Sequence, residues 1–339
     1  IHDGTTWTVV TPSHTLECAY VLFHRDGWSA SNSLAFLIAH HVIVPPVALD
    51  YGEKLISICL GIDAYERSLF RTADGEVVRV SFDNLVIRPD GSHQHVRKPV
   101  PPAFPDFDAY VAYLLGVLRS AFDDAGRVAA SGPYRPLATC STGYDSTCAA
   151  ALAAELGCTD AITLRTVRGG RPDSGREVGE RLGLEVREVE RADVTGRSFE
   201  RLAPFFASGT GGEDASFEGF APWVARRVVL TGFHGDKLWT DRYKANAVLA
   251  RTDASGCSLQ EFRLRSDFFH VPVPMVGARR HADVREISRS REMRPYRLGT
   301  RYDRPVPRRI AEERGVERSM FGQEKKAAST FTSIDERLL

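Results

Sequence analysis

Between Arg135 and Leu230, short apolar runs of strand character alternate with stretches of helical character. This alternation constrains the fold of the 339-residue chain more than any other feature. Arg135–Cys140 reads as a strand, Ser146–Leu156 as an Ala-rich helix and Ala161–Leu164 as a second strand. Asp173–Leu182 reads as a helix ended by Gly183, and Leu184–Val189 as a third strand. After an irregular stretch containing Gly-Thr-Gly-Gly-Glu-Asp, a helix around Gly219–Arg227 leads into the strand Val228–Leu230. Strands separated by helices in this way pair in parallel, with helices on both faces. The expected class is α/β, a parallel sheet flanked by helices, and ligands of such sheets bind at the carboxyl ends of the strands.

The first hundred residues differ in kind. Trp7–Val10, Val77–Phe82 and Leu85–Arg88 are short, branched and partly alternating, with hairpin-type turns at Asp74-Gly75 and Asp90-Gly91. Lys98–Pro105 holds four prolines and no helical pattern, and reads as a linker. Asp106 then caps a helix over Phe107–Asp123. The division expected is a smaller β-rich N-terminal domain over 1–103 and an α/β domain over 104–339 whose last hundred residues are mainly helical. That tail is dense in arginine: Arg279, Arg280, Arg285, Arg289, Arg291, Arg294 and Arg297, interleaved with Asp283, Glu286 and Glu292. A solvated helix face and a phosphate-facing surface are both open readings of it.

Lys plus Arg and Asp plus Glu both total 44, so the formal net charge is zero. This argues against a general nucleic-acid binder. No apolar run approaches the roughly 20 residues that cross a bilayer. The six cysteines form no CxxC pair and no zinc spacing, as expected of small buried hydrophobes in a reducing, cytoplasmic compartment. The chain begins at Ile1 rather than Met and shows no secretory signal, which fits a trimmed or incomplete N-terminus. Oligomeric state is unreadable, and a homo-oligomer stays open.

Chemistry concentrates where the first α/β strand meets its helix, at Ser141-Thr-Gly-Tyr-Asp-Ser-Thr147. Hydroxyls and backbone N–H groups at a helix N-terminus form an anion site. Gly143 lets the backbone approach closely or take a positive φ. Asp145 would repel a phosphate unless a cation such as Mg²⁺ lay between them. A plain helix cap is the competing reading. The segment is neither a Walker A loop nor a GxGxxG turn.

Ser141–Ser146 resembles the SGGxDS loop of the N-type ATP pyrophosphatases, with Thr142 in place of the first glycine of the pair. Val228–Trp239, VVLTGFHGDKLW, resembles the SGEGxDE element of the asparagine synthetase family, which includes β-lactam synthetase and lasso-peptide cyclases. Val306–Ser329 is similar to that family's late segment, where a proline-started helix leads to a phosphate-contacting lysine. Arg168–Gly183 is similar to its helix after the second strand. The resemblance spans about Phe104 to Ser329. It implies an adenine nucleotide alpha hydrolase-like fold and an ATP-dependent, AMP-forming carbon–nitrogen ligase that activates a small-molecule or peptide carboxylate for attack by an amine. It further implies ATP contacts at Cys140, Ser141, Gly143, Asp145, Ser146, Leu164, Thr231 and Gly232, Mg²⁺ held by Asp145 and Asp236, and Lys325 as the charge-stabilising lysine beside Lys326. Gln323 stands where the family has arginine. Phe233 stands where the family has its catalytic Glu or Tyr and accepts no proton, which moves the base to His234, or to Glu213 or Asp214. The family's N-terminal cysteine nucleophile is missing too, so no glutaminase step is expected. The rival readings are a lapsed nucleotide-binding scaffold and a tRNA-modifying ATPase.

Overall fold

Two antiparallel sheets precede the parallel one. In the computed structural model, which describes residues 1–45, 48–73, 75–127, 132–191, 198–207, 211–240, 253–300, 302–324 and 326, the strands β1 (Trp7–Val9), β2 (Ala19–His24), β3 (Gly27–Ser31), β4 (Ser68–Arg71), β5 (Gly75–Val80), β6 (Asn84–Ile87) and β7 (His93–Val96) come first. They pair as β3-β2-β5-β4 and β1-β6-β7. Helices α1 (Leu34–His40) and α2 (Ala48–Ile56) lie between β3 and β4 in the chain. The sequence reading finds β1, β5 and β6 and the turn at Gly91, where φ is 81°. Asp74 lies outside the described residues.

β2, β3, β4 and β7 are not in that reading, and β2 shows why. Its AYVLFH run is apolar without alternation because both faces are covered. Tyr20 and Leu22 pack with Leu34, Leu37 and Leu55, while Val21 packs with Val80, Leu85 and Ile87. β5 stops at Val80 rather than Phe82, since Phe82 takes a left-handed φ of 67°.

The linker is tied down. Phe104 is buried, Arg279 and Arg280 donate to the carbonyls of Lys98 and Pro101, and Phe104 N–H donates to Asp283 at 3.0 Å. Asp106 Oδ1 accepts from Ala109 N–H at 2.8 Å, capping α3 (Phe107–Arg127) as its sequence predicts.

Then follow β8 (Arg135–Thr139), α4 (Tyr144–Glu155), β9 (Asp160–Leu164), α5 (Arg176–Arg181), β10 (Glu185–Val189), α6 (Phe199–Phe206), α7 (Ala221–Val224), β11 (Arg227–Thr231), α8 (Gly235–Leu238), α9 (Leu259–Arg265), β12 (Phe268–Pro272), α10 (His281–Arg289) and α11 (Pro305–Glu313). The five strands are parallel in the order β10-β9-β8-β11-β12. The α/β expectation holds, with three boundary corrections. The helix read over Asp173–Leu182 starts at Arg176. The one read around Gly219–Arg227 is a 3-10 turn over Ala215–Phe220 followed by α7, ended by Arg226 at φ 59°. The first helix starts at Tyr144, two residues early. β12 lies in the tail read as mainly helical.

The sheet is covered on both sides. Ala138, Ala161, Val228 and Leu230 face α3, α4, α10 and α11, and Leu137, Ile162, Val229 and Phe268 face α6, α7 and α9. α4 is buried along most of its length, and its alanines allow close approach to both the sheet and α11. The arginine-rich tail is not simply a solvated face, because Arg285 on α10 is buried.

Candidate active site

Strand order reverses direction between β8 and β11, the position at which an open α/β sheet leaves a crevice at its carboxyl edge. A cavity of about 380 Å³ lies there, lined by the ends of β8 (Thr139, Cys140), β9 (Ile162, Leu164) and β11 (Thr231) and by the turns that follow them. Cys140, Ser141, Gly143, Asp145, Ser146, Leu164, Thr231, Gly232, His234 and Asp236 all line it. Lys325 lies outside the described residues; its neighbour Lys326 lines the cavity.

The turn after β8 is braced by its own hydroxyls. Ser141 Oγ lies 2.6 Å from Ser146 Oγ and accepts Gly143 N–H at 3.0 Å, while Thr147 Oγ1 donates to Ser141 O at 2.9 Å. Gly143 is extended, with φ −84° and ψ 157°, so the positive-φ reading of this glycine does not hold. A Cβ there would sit 3.3 Å from Ser141 Oγ, so close approach is what remains. The first turn of α4 carries N–H groups with no intrahelical acceptor, and the positive end of the helix dipole faces the cavity.

Glycine is demanded more strictly in the neighbouring turns. A Cβ on Gly232 would lie 2.4 Å from the Asp145 carbonyl carbon, one on Gly235 2.4 Å from the Asp145 carboxyl carbon, and one on Gly175 2.5 Å from Ser141 N. Residues 232–236 therefore press directly on Asp145. His234 between them has φ 64°, a left-handed conformation uncommon outside glycine, and precedes α8. Trp239, wholly buried at the end of α8, donates Nε1–H to Tyr110 at 2.7 Å and anchors the turn to α3.

Charge is arranged in pairs. Arg304, buried beside the Tyr302 ring, donates to both carboxylate oxygens of Asp145. Asp173 accepts Thr142 Oγ1–H at 2.5 Å, and burial raises its carboxyl above the ordinary range. Lys326 donates to Thr142 Oγ1 at 3.1 Å and to Pro172 O at 2.7 Å, and lies 3.8 Å from Asp173. Lys237 bridges Asp236 at 3.3 Å and Asp253 at 3.5 Å. His234 Nε2 lies 2.9 Å from Ser255 O, a carbonyl that can only accept, so Nε2 is the protonated nitrogen of that contact. Cys140 is no nucleophile, since burial pushes its thiol up to about 12.

Sequence reasoning missed two contributors. Arg304 approaches from the loop before α11, 159 positions from Asp145, with no motif to flag it. His270 on β12 lies 2.8 Å from Thr231 Oγ1, and burial lowers its imidazole to about 3, so it is a neutral partner. All six cysteines are free thiols, four of them buried.

Among the described residues no group of three His, Cys, Asp or Glu side chains is placed to hold a metal. Two carboxylates with ligand phosphates suffice for Mg²⁺, which keeps most of its waters. The oxygen-only pair of Asp145 and Asp236 fits that chemistry, with Arg304 as the competing cation on Asp145. No model of a known protein family matches the chain, and no curated protein is similar to it. Among the described residues no helix is long and apolar enough to cross a membrane.

Proposed function

We propose that the chain is an ATP-dependent, AMP-forming ligase of the asparagine synthetase-like kind, with the adenine nucleotide alpha hydrolase-like variant of the α/β fold. The observation that carries this reading is the meeting of two turns, 141–146 and 231–236, on one cavity where strand order reverses. The Ser141 and Ser146 hydroxyls and the α4 N-terminus bind the β,γ-phosphates, while Leu164, Thr231 and Gly232 line the nucleotide. Asp145 and Asp236 would hold Mg²⁺, which would supply positive charge against the phosphates. A carboxylate oxygen of the substrate attacks the α-phosphorus, the bond to the bridging oxygen breaks, and pyrophosphate leaves into the turn. Lys326, over Thr142, supplies the ammonium that stabilises the departing charge, the role the resemblance assigns to Lys325. The acyl-adenylate then meets an amine, with His234 as the candidate acceptor of its proton.

One observation favours a second reading, a nucleotide binder without turnover. Arg304 engages both oxygens of Asp145, and Phe233 leaves the third position of the second turn without an acid or base. The test is the unfolding midpoint with and without ATP·Mg²⁺, on the native chain and on Asp145→Asn, followed by a screen of carboxylates for AMP and pyrophosphate release. ATP at about 100 times its Kd adds roughly 2.7 kcal/mol of stability. A shift lost in Asp145→Asn, with AMP release, supports the ligase. A shift without release supports the binder. No shift on a folded chain removes both.

A further inference from the structure

Five carboxylates line the cavity: Asp145, Asp173, Glu213, Asp236 and Asp253. Four have a cation against them, namely Arg304 on Asp145, Lys326 on Asp173, and Lys237 on Asp236 and Asp253. Glu213 has none among the described residues. It is 6% exposed. Its Oε1 accepts Gly211 N–H at 3.4 Å, and its Oε2 is buried with no hydrogen-bond partner among the described residues. A buried carboxylate oxygen left so is unfavourable in isolation, and it is retained where something else completes it.

The surroundings define what completes it. Phe217, Phe220 and Phe233 line the same cavity, with ring centroids 5.1 Å apart for Phe217 and Phe220 and 5.7 Å for Phe217 and Phe233. Phe233, which removes the family's proton acceptor from the second turn, extends this apolar wall. A carboxylate beside aromatic rings binds an organic cation through both charge and ring quadrupole. A guanidinium is best met by two open carboxylate oxygens, whereas one oxygen here is already engaged by Gly211. An ammonium needs only one.

We propose that Glu213 is the docking carboxylate for a primary ammonium on an apolar stem, so that the second substrate is an organic amine rather than ammonia. That this amine is the acyl acceptor rests on the ligase reading; the ammonium site itself does not.

The test is calorimetric titration with 2-phenylethylammonium, its uncharged isostere 2-phenylethanol, and ammonium chloride, on the native chain and Glu213→Gln, with the ATP·Mg²⁺ thermal shift measured in parallel. The expected result is binding of the amine at least about tenfold tighter than the alcohol or ammonium chloride. Glu213→Gln should lose that preference while keeping its ATP shift. Equal affinity for amine and alcohol, no binding of the amine, or an undiminished preference in Glu213→Gln would overturn the proposal and leave Glu213 as a cap on the 211–213 turn. Should Glu213→Gln fail to fold, Glu213→Asp replaces it. The shorter side chain keeps the charge, so the amine should bind more weakly but still better than the alcohol, and a loss of all preference or none would count against the site. An ammonium preference without an ATP shift sinks the ligase reading alone.

Discussion

Arg304, a residue only 5% exposed, holds both carboxylate oxygens of Asp145 from the loop preceding α11. Within the ligase reading the pair resolves an electrostatic conflict, since a carboxylate at the mouth of a phosphate-binding turn would repel its ligand unless a cation stood beside it. Asp145 in turn holds the guanidinium above its ordinary range, against the opposing effect of burial. Within the ligase reading, Arg304 and Mg²⁺ compete for one carboxylate.

Removing one partner of a buried ion pair leaves the other uncompensated. Arg304→Leu is therefore expected to cost about 3 kcal/mol. Urea denaturation measures it, and a loss below about 1 kcal/mol would show that water already satisfies Asp145. Added Mg²⁺ should recover part of the loss in Arg304→Leu and none in the double variant with Asp145→Asn.

Glycine positions separate by what a methyl group meets. Gly232→Ala drives Cβ against the Asp145 and Ser146 backbone, which cannot rotate away, so a loss of about 1–3 kcal/mol is expected from overpacking. Gly116, exposed in α3 with nothing within 4 Å, should gain about 0.4–1 kcal/mol on the same change. Thermal melts of the two variants check the contrast, and shifts of the same sign would contradict the packing described at the second turn.

Acid acts on His270. Its folded-state pKa of about 3 lies below the usual value of 6.5. The unfolded chain therefore binds the extra proton between pH 3 and 6.5, and stability rises with pH across that window. His270 contributes fully above pH 6.5, and its contribution fades as pH falls toward 3. His270→Gln should flatten this part of the pH–stability curve. Parallel curves for native and variant would mean the imidazole is hydrated, contrary to its burial.

Lys325 and Lys326 are separable by kinetics. Within the ligase reading, Lys326→Ala removes the ammonium over Thr142 and Asp173, and pyrophosphate release should fall about 10²–10³-fold with little change in KM for ATP. Lys325→Ala should stay near the native rate. The reverse ranking would restore the assignment drawn from the resemblance.

Legibility followed the range of the contacts. The turn after β8 was readable because six of its seven side chains carry a hydroxyl or a carboxylate within one short stretch. The turn after β11 was readable from its glycines, which Asp145 compels to be small. Arg304 was different: it is an arginine among many, and only folding gives it its neighbours. Glu213 was legible as a candidate base, but its place in one cavity with Phe217, Phe220 and Phe233 comes only from folding. β12 escaped because FFHVP ends in Pro272 with Pro274 just beyond it, and its pairing strand lies about 40 positions away.

The N-terminal sheets meet the parallel sheet through α9. Gln260 accepts Cys18 N–H at 3.2 Å and donates to Cys18 O at 2.7 Å, as a neighbouring strand would, and also donates to Asn32 O at 2.6 Å. Glu261 accepts Ser33 Oγ–H at 2.8 Å, and Arg263 reaches Glu17 at 2.9 Å, both groups buried. Three side-chain clasps within four positions of one seven-residue helix, which itself packs beside β12, couple the two halves. Melting either half exposes polar groups that the other was satisfying, so the chain should lose its structure in one concerted transition. A fragment beginning near Phe104 would leave Gln260, Glu261 and Arg263 unsatisfied together, and expression of the α/β half alone should yield an aggregating product rather than a smaller folded domain.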